Sequence, residues 1–147
     1  MIYWDTSVIM KLYIKETDSE IVAKKAQEFD LSIPFTLFHE LEMTNALELK
    51  RFRNELTPRQ IDKIKALRHY HEENFIYHRP IIDWSSVYQQ AIHLSQSFSY
   101  QIGSRSLDIL HVAAACILNA GSFFSNDSRQ LSLAESAGFK PIAPGHR

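Results

Sequence analysis

The chain has 147 residues, of which 45% are hydrophobic and 22% charged, and a formal net charge of -1. That composition excludes a disordered chain, and the length predicts one domain over residues 1–147 around a single core. The near-neutral balance excludes a nucleic-acid partner held by bulk charge; such a partner needs a local basic patch.

In chain order, "MIYW" reads as a short buried strand that ends on Asp5, and "TSVIMKLYIKE" as a helix. "DSEIVAKKAQEF" reads as a second helix, capped by Thr17 or Asp18, and "LSIP" as a strand stopped by Pro34. "TLFHELEMTNALELKRFRNE" has helical periodicity, and "TPRQIDKIKALRHYHEEN" opens with Thr57 as cap and Pro58 in the first turn. "FIYHRPI" is strand-like, with Pro80 placing it at an edge or near a strand end. "WSSVYQQAIHLSQSFS" and "SLDILHVAAACILNAG" read as helices, the second ending at Gly121. "SFFSND" is a strand, "SRQLSLAESAG" a helix and "FKPIAP" a last short strand.

Strands alternating with helices predict an α/β domain with a short, mostly parallel sheet flanked by helices. No apolar run reaches the roughly 18 residues of a membrane span. The N-terminal stretch lacks a basic region and carries acids early, so a soluble, cytoplasmic protein with no membrane partner is expected. Cys116 is the one cysteine and sits in "VAAACIL", which excludes an internal disulfide and fits a reducing compartment. The four glycines, Gly103, Gly121, Gly138 and Gly145, are too far apart for a glycine-rich phosphate loop.

Ligands of such folds bind outside the carboxyl ends of the strands. Asp5 follows the first strand and Asp127 the "SFFSN" strand, so both are expected on one edge of the sheet. Phe38, Glu42, Asn45 and Leu49 follow the spacing of a single helix face, which makes Glu42, rather than Glu40, the inward carboxylate. Asp108 lies in the first turn of a very apolar helix. Each acid also has a structural reading. Asp5 caps a helix, Asp127 with Gln130 forms a D-x-x-Q capping box, Asp108 complements a helix dipole and Glu42 is a boundary residue. Capping explains the acids singly but not their shared edge. Two carboxylates about 5 Å apart repel by roughly 3 kcal/mol at an effective dielectric near 20. A cluster of four therefore calls for protons or a cation, and all-oxygen ligands select Mg²⁺ or Mn²⁺ over zinc.

"YWDTSVIMKLYIKE", "ELEMTNAL", "RSLDILHVAAA" and "FFSNDSRQLSLAESAG" together resemble the PIN-domain ribonucleases, specifically VapC-type toxins of toxin–antitoxin pairs. The resemblance runs the length of the chain and implies a single PIN domain and a metal-dependent endoribonuclease. It implies Asp5, Glu42, Asp108 and Asp127 as catalytic and metal-binding residues, with Glu40 as the competing assignment for Glu42. Ser7, Asn45 and Ser125 would orient ligands or waters behind them, and His111 is either packed or turned to the site. The implied partners are an RNA substrate, a cognate antitoxin and a second copy of the chain.

Arg105, Arg51 and Arg53 are the candidate RNA contacts. The last two belong to a basic run from Lys50 to Arg68, followed by His69, Tyr70 and His71, that reads equally as a solvated helical hairpin. A haloacid-type phosphatase is excluded by Ser7, where a second Asp is needed, and a receiver domain by the missing pair of early acids. A non-catalytic PIN-fold binding module and a housekeeping RNA-processing nuclease remain as alternatives.

Overall fold

The computed structural model describes residues 1–30 and 32–145. In chain order the elements are β1 (Ile2–Trp4), α1 (Thr6–Met10), α2 (Ser19–Phe29), β2 (Ile33–Pro34), α3 (Leu37–Phe52) and α4 (Pro58–Glu73). They continue with β3 (Tyr77–His78), α5 (Trp84–Ile102), α6 (Ser106–Ile117), β4 (Ser122–Phe124), α7 (Ser128–Ser136) and β5 (Lys140–Ile142). Leu31, placed in the second strand by its sequence, lies outside the described residues.

Every strand pair is parallel: β1 with β4, β4 with β5, and β2 with β3. β1, β4 and β5 form one hydrogen-bonded sheet in the order β1-β4-β5, and β2 and β3 form a second; β2 packs beside β1, so the strands lie in the spatial order 3-2-1-4-5. Chain order reverses between β1 and β4. That is the switch point at which open parallel sheets leave a crevice.

The two-residue period of the strands divides the core. Tyr3 and Phe123 face α5, α6 and α7, with their rings stacked 5.4 Å apart, whereas Trp4 and Phe124 face α1 to α4. Both faces of the sheet are covered, as parallel sheets require. On the first face Ala113, Ala114 and Ala115 are fully buried, and their small side chains let α5 and α6 approach along their length.

Three local expectations are corrected. α6 ends at Ile117 rather than Gly121, because Asn119 adopts the left-handed conformation that closes the helix. Asp18 precedes α2 but is itself left-handed (φ 69°), so its carboxylate makes no cap. The buried face of α3 runs through Phe38, His39, Met43 and Leu47, which leaves Asn45 and Leu49 exposed and Glu42 at the margin.

Candidate acidic site

β1 and β4 end side by side, Trp4 beside Phe124, and the Asp5 amide continues the ladder by donating to Phe124 O at 3.0 Å. Asp5 and Ser125 are thereby set together at the carboxyl edge. Asp5 is 3% exposed. Its Oδ1 accepts from Ser7 Oγ at 2.8 Å and from the Val8 amide at 3.0 Å, and Oδ2 accepts from Ser125 Oγ at 2.6 Å. The cap role and the edge position coexist in one side chain. Burial, the largest effect, pushes the Asp5 carboxyl above its ordinary range, and His111, Ser125, Ser7 and Val8 offset it in part.

Asp127 reaches the same serine through its amide, which donates to Ser125 Oγ at 3.0 Å, while its carboxylate caps α7 by accepting from the Gln130 amide at 2.9 Å. The reciprocal half of the expected capping box is absent. The Gln130 side chain, 1% exposed, turns inward instead: Oε1 lies 2.8 Å from Ser125 Oγ and competes with Asp5 Oδ2 for the single hydroxyl hydrogen, and Nε2 donates to Asp108 O at 3.3 Å. One buried amide thus ties the start of α7 to β4 and α6.

Glu42 projects from the margin of α3 toward α1 and α6. Its Oε1 accepts from Thr6 Oγ1 at 2.6 Å and from His111 Nε2. Burial raises the Glu42 carboxyl, but the His111 hydrogen bond and charge, with the Thr6 hydroxyl, outweigh it and hold the group below its ordinary range. Glu42 and Asp108 line one open cleft of about 400 Å³ with Arg105, Ser106 and Leu107. Asp108 Oδ2 pairs there with Arg105 at 3.3 Å. Glu40 points elsewhere, into an ion pair with Arg79 at 2.7 Å.

The acids share an edge without touching. Among the described residues, no three His, Cys, Asp or Glu side chains converge closely enough to hold a metal ion. The repulsion expected of a four-acid cluster is met instead by local partners: Ser7, Val8 and Ser125 for Asp5, Thr6 and His111 for Glu42, Arg105 for Asp108, and the α7 N-terminus for Asp127. The donor set still suits a hard cation in kind. It is all oxygen, and the hydrogen bonds fall on one oxygen each of Glu42, Asp108 and Asp127. Arg105 is largely exposed, and an ion pair of that kind contributes about 0–1 kcal/mol, which a divalent ion readily overcomes.

Ser7 and Ser125 therefore lie against Asp5, whereas Asn45 is exposed and makes no hydrogen bond to any of the four acids. His111 is packed and also touches the site. Thr6, Tyr3 and Gln130 were missed by the sequence reading. Gln130 carried a signal, the D-x-x-Q spacing, but pointed to a different partner. In the basic hairpin, Lys50 pairs with Glu16 and Glu55, Arg51 with Glu48, and Arg68 with Glu72. His71 is bound to the Tyr13 hydroxyl, 2.8 Å away. Arg53, Arg59 and Lys63 remain exposed.

Neither a family model nor a curated protein matches the sequence. Among solved structures, the crystal structure of FitAcB from Neisseria gonorrhoeae matches with a TM-score of 0.70 and 16% identity, over 100% of both chains. At that identity the likeness concerns the fold alone. The chain has a PIN-like α/β fold, a small parallel sheet with helices on both faces.

Proposed function

We propose that the protein is a metal-dependent endoribonuclease of the PIN family, the VapC-type toxin of a toxin–antitoxin pair. The observation that carries this reading is the placement of Asp5, Glu42, Asp108 and Asp127 around the β1/β4 switch point of a PIN-like fold. Asp5, Glu42 and Asp108 would hold Mg²⁺ or Mn²⁺, with Asp127 completing the set. When bound, the ion supplies charge that polarises a phosphodiester oxygen and acidifies an attacking water. Ser7 and Ser125 fix the buried Asp5 carboxylate, and Arg105 at the rim is placed to meet an RNA phosphate. Arg51 and Arg53, at the end of α3, would extend that contact. The partners in this reading are RNA, a second copy of the chain, and an antitoxin that covers the acidic edge with a basic side chain.

Purified protein is expected to cut RNA with Mg²⁺ or Mn²⁺ and to stop in EDTA. Undiminished cleavage in EDTA would remove the metal from the reading. The alternative, a PIN-fold module that binds RNA or protein without cutting, draws on the pairing of each acid with its own donors. RNA binding without cleavage in either metal selects it.

Glu42 and Glu40 separate cleanly. Glu42→Gln is expected to slow cleavage about 10–100-fold, because it removes the charge at the cleft. Glu40→Gln loses one exposed ion pair with Arg79 and is expected to cut like wild type. Single-turnover rates on one RNA check both, and the reverse pattern would move the ligand to Glu40.

A further inference from the structure

The carboxylate of Glu42 is gripped on one side. Thr6 Oγ1 and His111 Nε2 both converge on Oε1, and His111 Nε2 also lies 3.2 Å from Thr6 Oγ1. The other ring nitrogen, Nδ1, lies 2.9 Å from the Tyr3 hydroxyl. His111 is 3% exposed and Tyr3 fully buried. The chain therefore runs from the core strand β1 through α6 to the acid on α3. We propose that His111, backed by Tyr3, is a positioning residue that presents Glu42 to the divalent ion. The proposal rests on the metal-dependent reading above.

A simple packing role does not account for this arrangement. His111 lies on α6 among Val112, Ala113, Ala114 and Ala115, where an apolar side chain fills space without the cost of burying an imidazole. Both ring nitrogens are nevertheless used, one on Tyr3 and one on Glu42. The contact with Glu42 Oε1 demands a hydrogen on His111 Nε2 whether the ring is neutral or charged, since a carboxylate oxygen only accepts. In the neutral ring the Tyr3 hydroxyl donates to Nδ1 and selects that tautomer. A glutamate side chain has three freely rotating bonds, and two hydrogen bonds to one oxygen arrest them. The second oxygen is then left in a fixed place for a ligand. Partners of this kind, behind a ligand, change metal affinity about 10–100-fold when lost.

The test combines Mn²⁺ calorimetry with ¹⁵N NMR of the histidine ring. In metal-free wild type, His111 is expected to carry its hydrogen on Nε2. His111→Leu, of similar bulk, is expected to weaken Mn²⁺ binding about 10–100-fold. His111→Gln, which keeps an N–H donor, is expected to recover most of that loss, and Tyr3→Phe to lose an intermediate amount. A pure packing role predicts the opposite order, with Leu the better tolerated. Wild-type Mn²⁺ affinity in His111→Leu, or a bare Nε2 in wild type, overturns the positioning role while leaving the nuclease reading in place. If His111→Leu does not fold, the ring NMR and Tyr3→Phe decide. Wild type that takes up no Mn²⁺ overturns the nuclease reading itself, and the positioning role with it.

Discussion

Asp5→Asn protein is expected to cut RNA at least about a hundredfold more slowly than wild type, yet to melt at an equal or higher temperature without metal. The two halves have one cause. Asn preserves the hydrogen bonds: its oxygen accepts from Ser7 and Val8, and its amide donates to Ser125 Oγ, whose hydrogen then goes to Gln130 Oε1. What disappears is the charge. Burial raises the folded pKa of Asp5, so folding carries a penalty that is absent below the unfolded value, near 4, and complete above the folded one. Asn removes that penalty at neutral pH. In the proposed nuclease the same charge would help to hold the divalent ion, and losing a contribution of several kcal/mol to transition-state stabilisation corresponds to a hundredfold or more in rate. Melting curves in EDTA and in Mn²⁺, with cleavage rates alongside, measure all of this. The stabilisation that wild type gains from the ion, RT ln(1 + [L]/Kd), should largely vanish in the variant. An Asp5→Asn protein that cuts RNA and gains full stability from Mn²⁺ would leave Asp5 only its capping role.

The order of elements was legible from sequence because local signals agreed. Thr57, Pro58 and Gln60 announced α4, and all three act as a helix start does: Thr57 Oγ1 accepts from the Gln60 amide, and the Gln60 side chain accepts in return from the Thr57 amide. The position of Asp5 at a strand end was equally local. What failed was whatever depended on a distant partner. The i, i+4, i+7, i+11 spacing put the face of α3 through Phe38, Glu42, Asn45 and Leu49. In the structure His39 is fully buried, satisfied by Thr36 three residues earlier and by Trp4 O across the sheet, and the face turns by about one residue to include it.

The same holds at the acidic edge. Gln130 has the right spacing for a cap, but Ser125 and Asp108 O compete for its side chain and win. The Glu42–His111 contact joins residues 69 positions apart, and the Ser125–Asp5 contact joins residues 120 apart. No period or spacing encodes either. The fold hands each carboxylate its own donors, a compensation for mutual repulsion that spacing along the chain does not encode.

His39 also controls the second large expected effect, a loss of stability in mild acid. Its Nε2 donates to Trp4 O at 2.8 Å, and its Nδ1 accepts from the Thr36 amide at 3.0 Å, so the folded protein holds the ring neutral. Burial, the largest effect, with the nearby His111 and Arg79, lowers its pKa from 6.5 to about 3. Unfolded chains therefore bind a proton that the fold refuses. The contribution is fully present above pH 6.5 and is lost as pH falls toward 3, roughly 5 kcal/mol over the whole span and about 1.4 kcal/mol per pH unit. His71 and His78, lowered by partial burial, add to the slope. Glu72, held at about 2 by Arg79 and Arg68, adds to it only below its unfolded value, and Asp5 acts with the opposite sign. His39→Leu strands the Thr36 amide and Trp4 O, so it should cost about 1–3 kcal/mol at pH 7. Between pH 6.5 and 5, however, the deficit relative to wild type should shrink by about 2 kcal/mol, since the variant has no ring to protonate. Urea unfolding at several pH values measures the difference, and a constant deficit would mean that the ring is charged in the fold. Because Trp4 O precedes Asp5 and Thr36 opens the helix bearing Glu42, the neutral ring that sets this acid limit also joins the two segments that carry those acids.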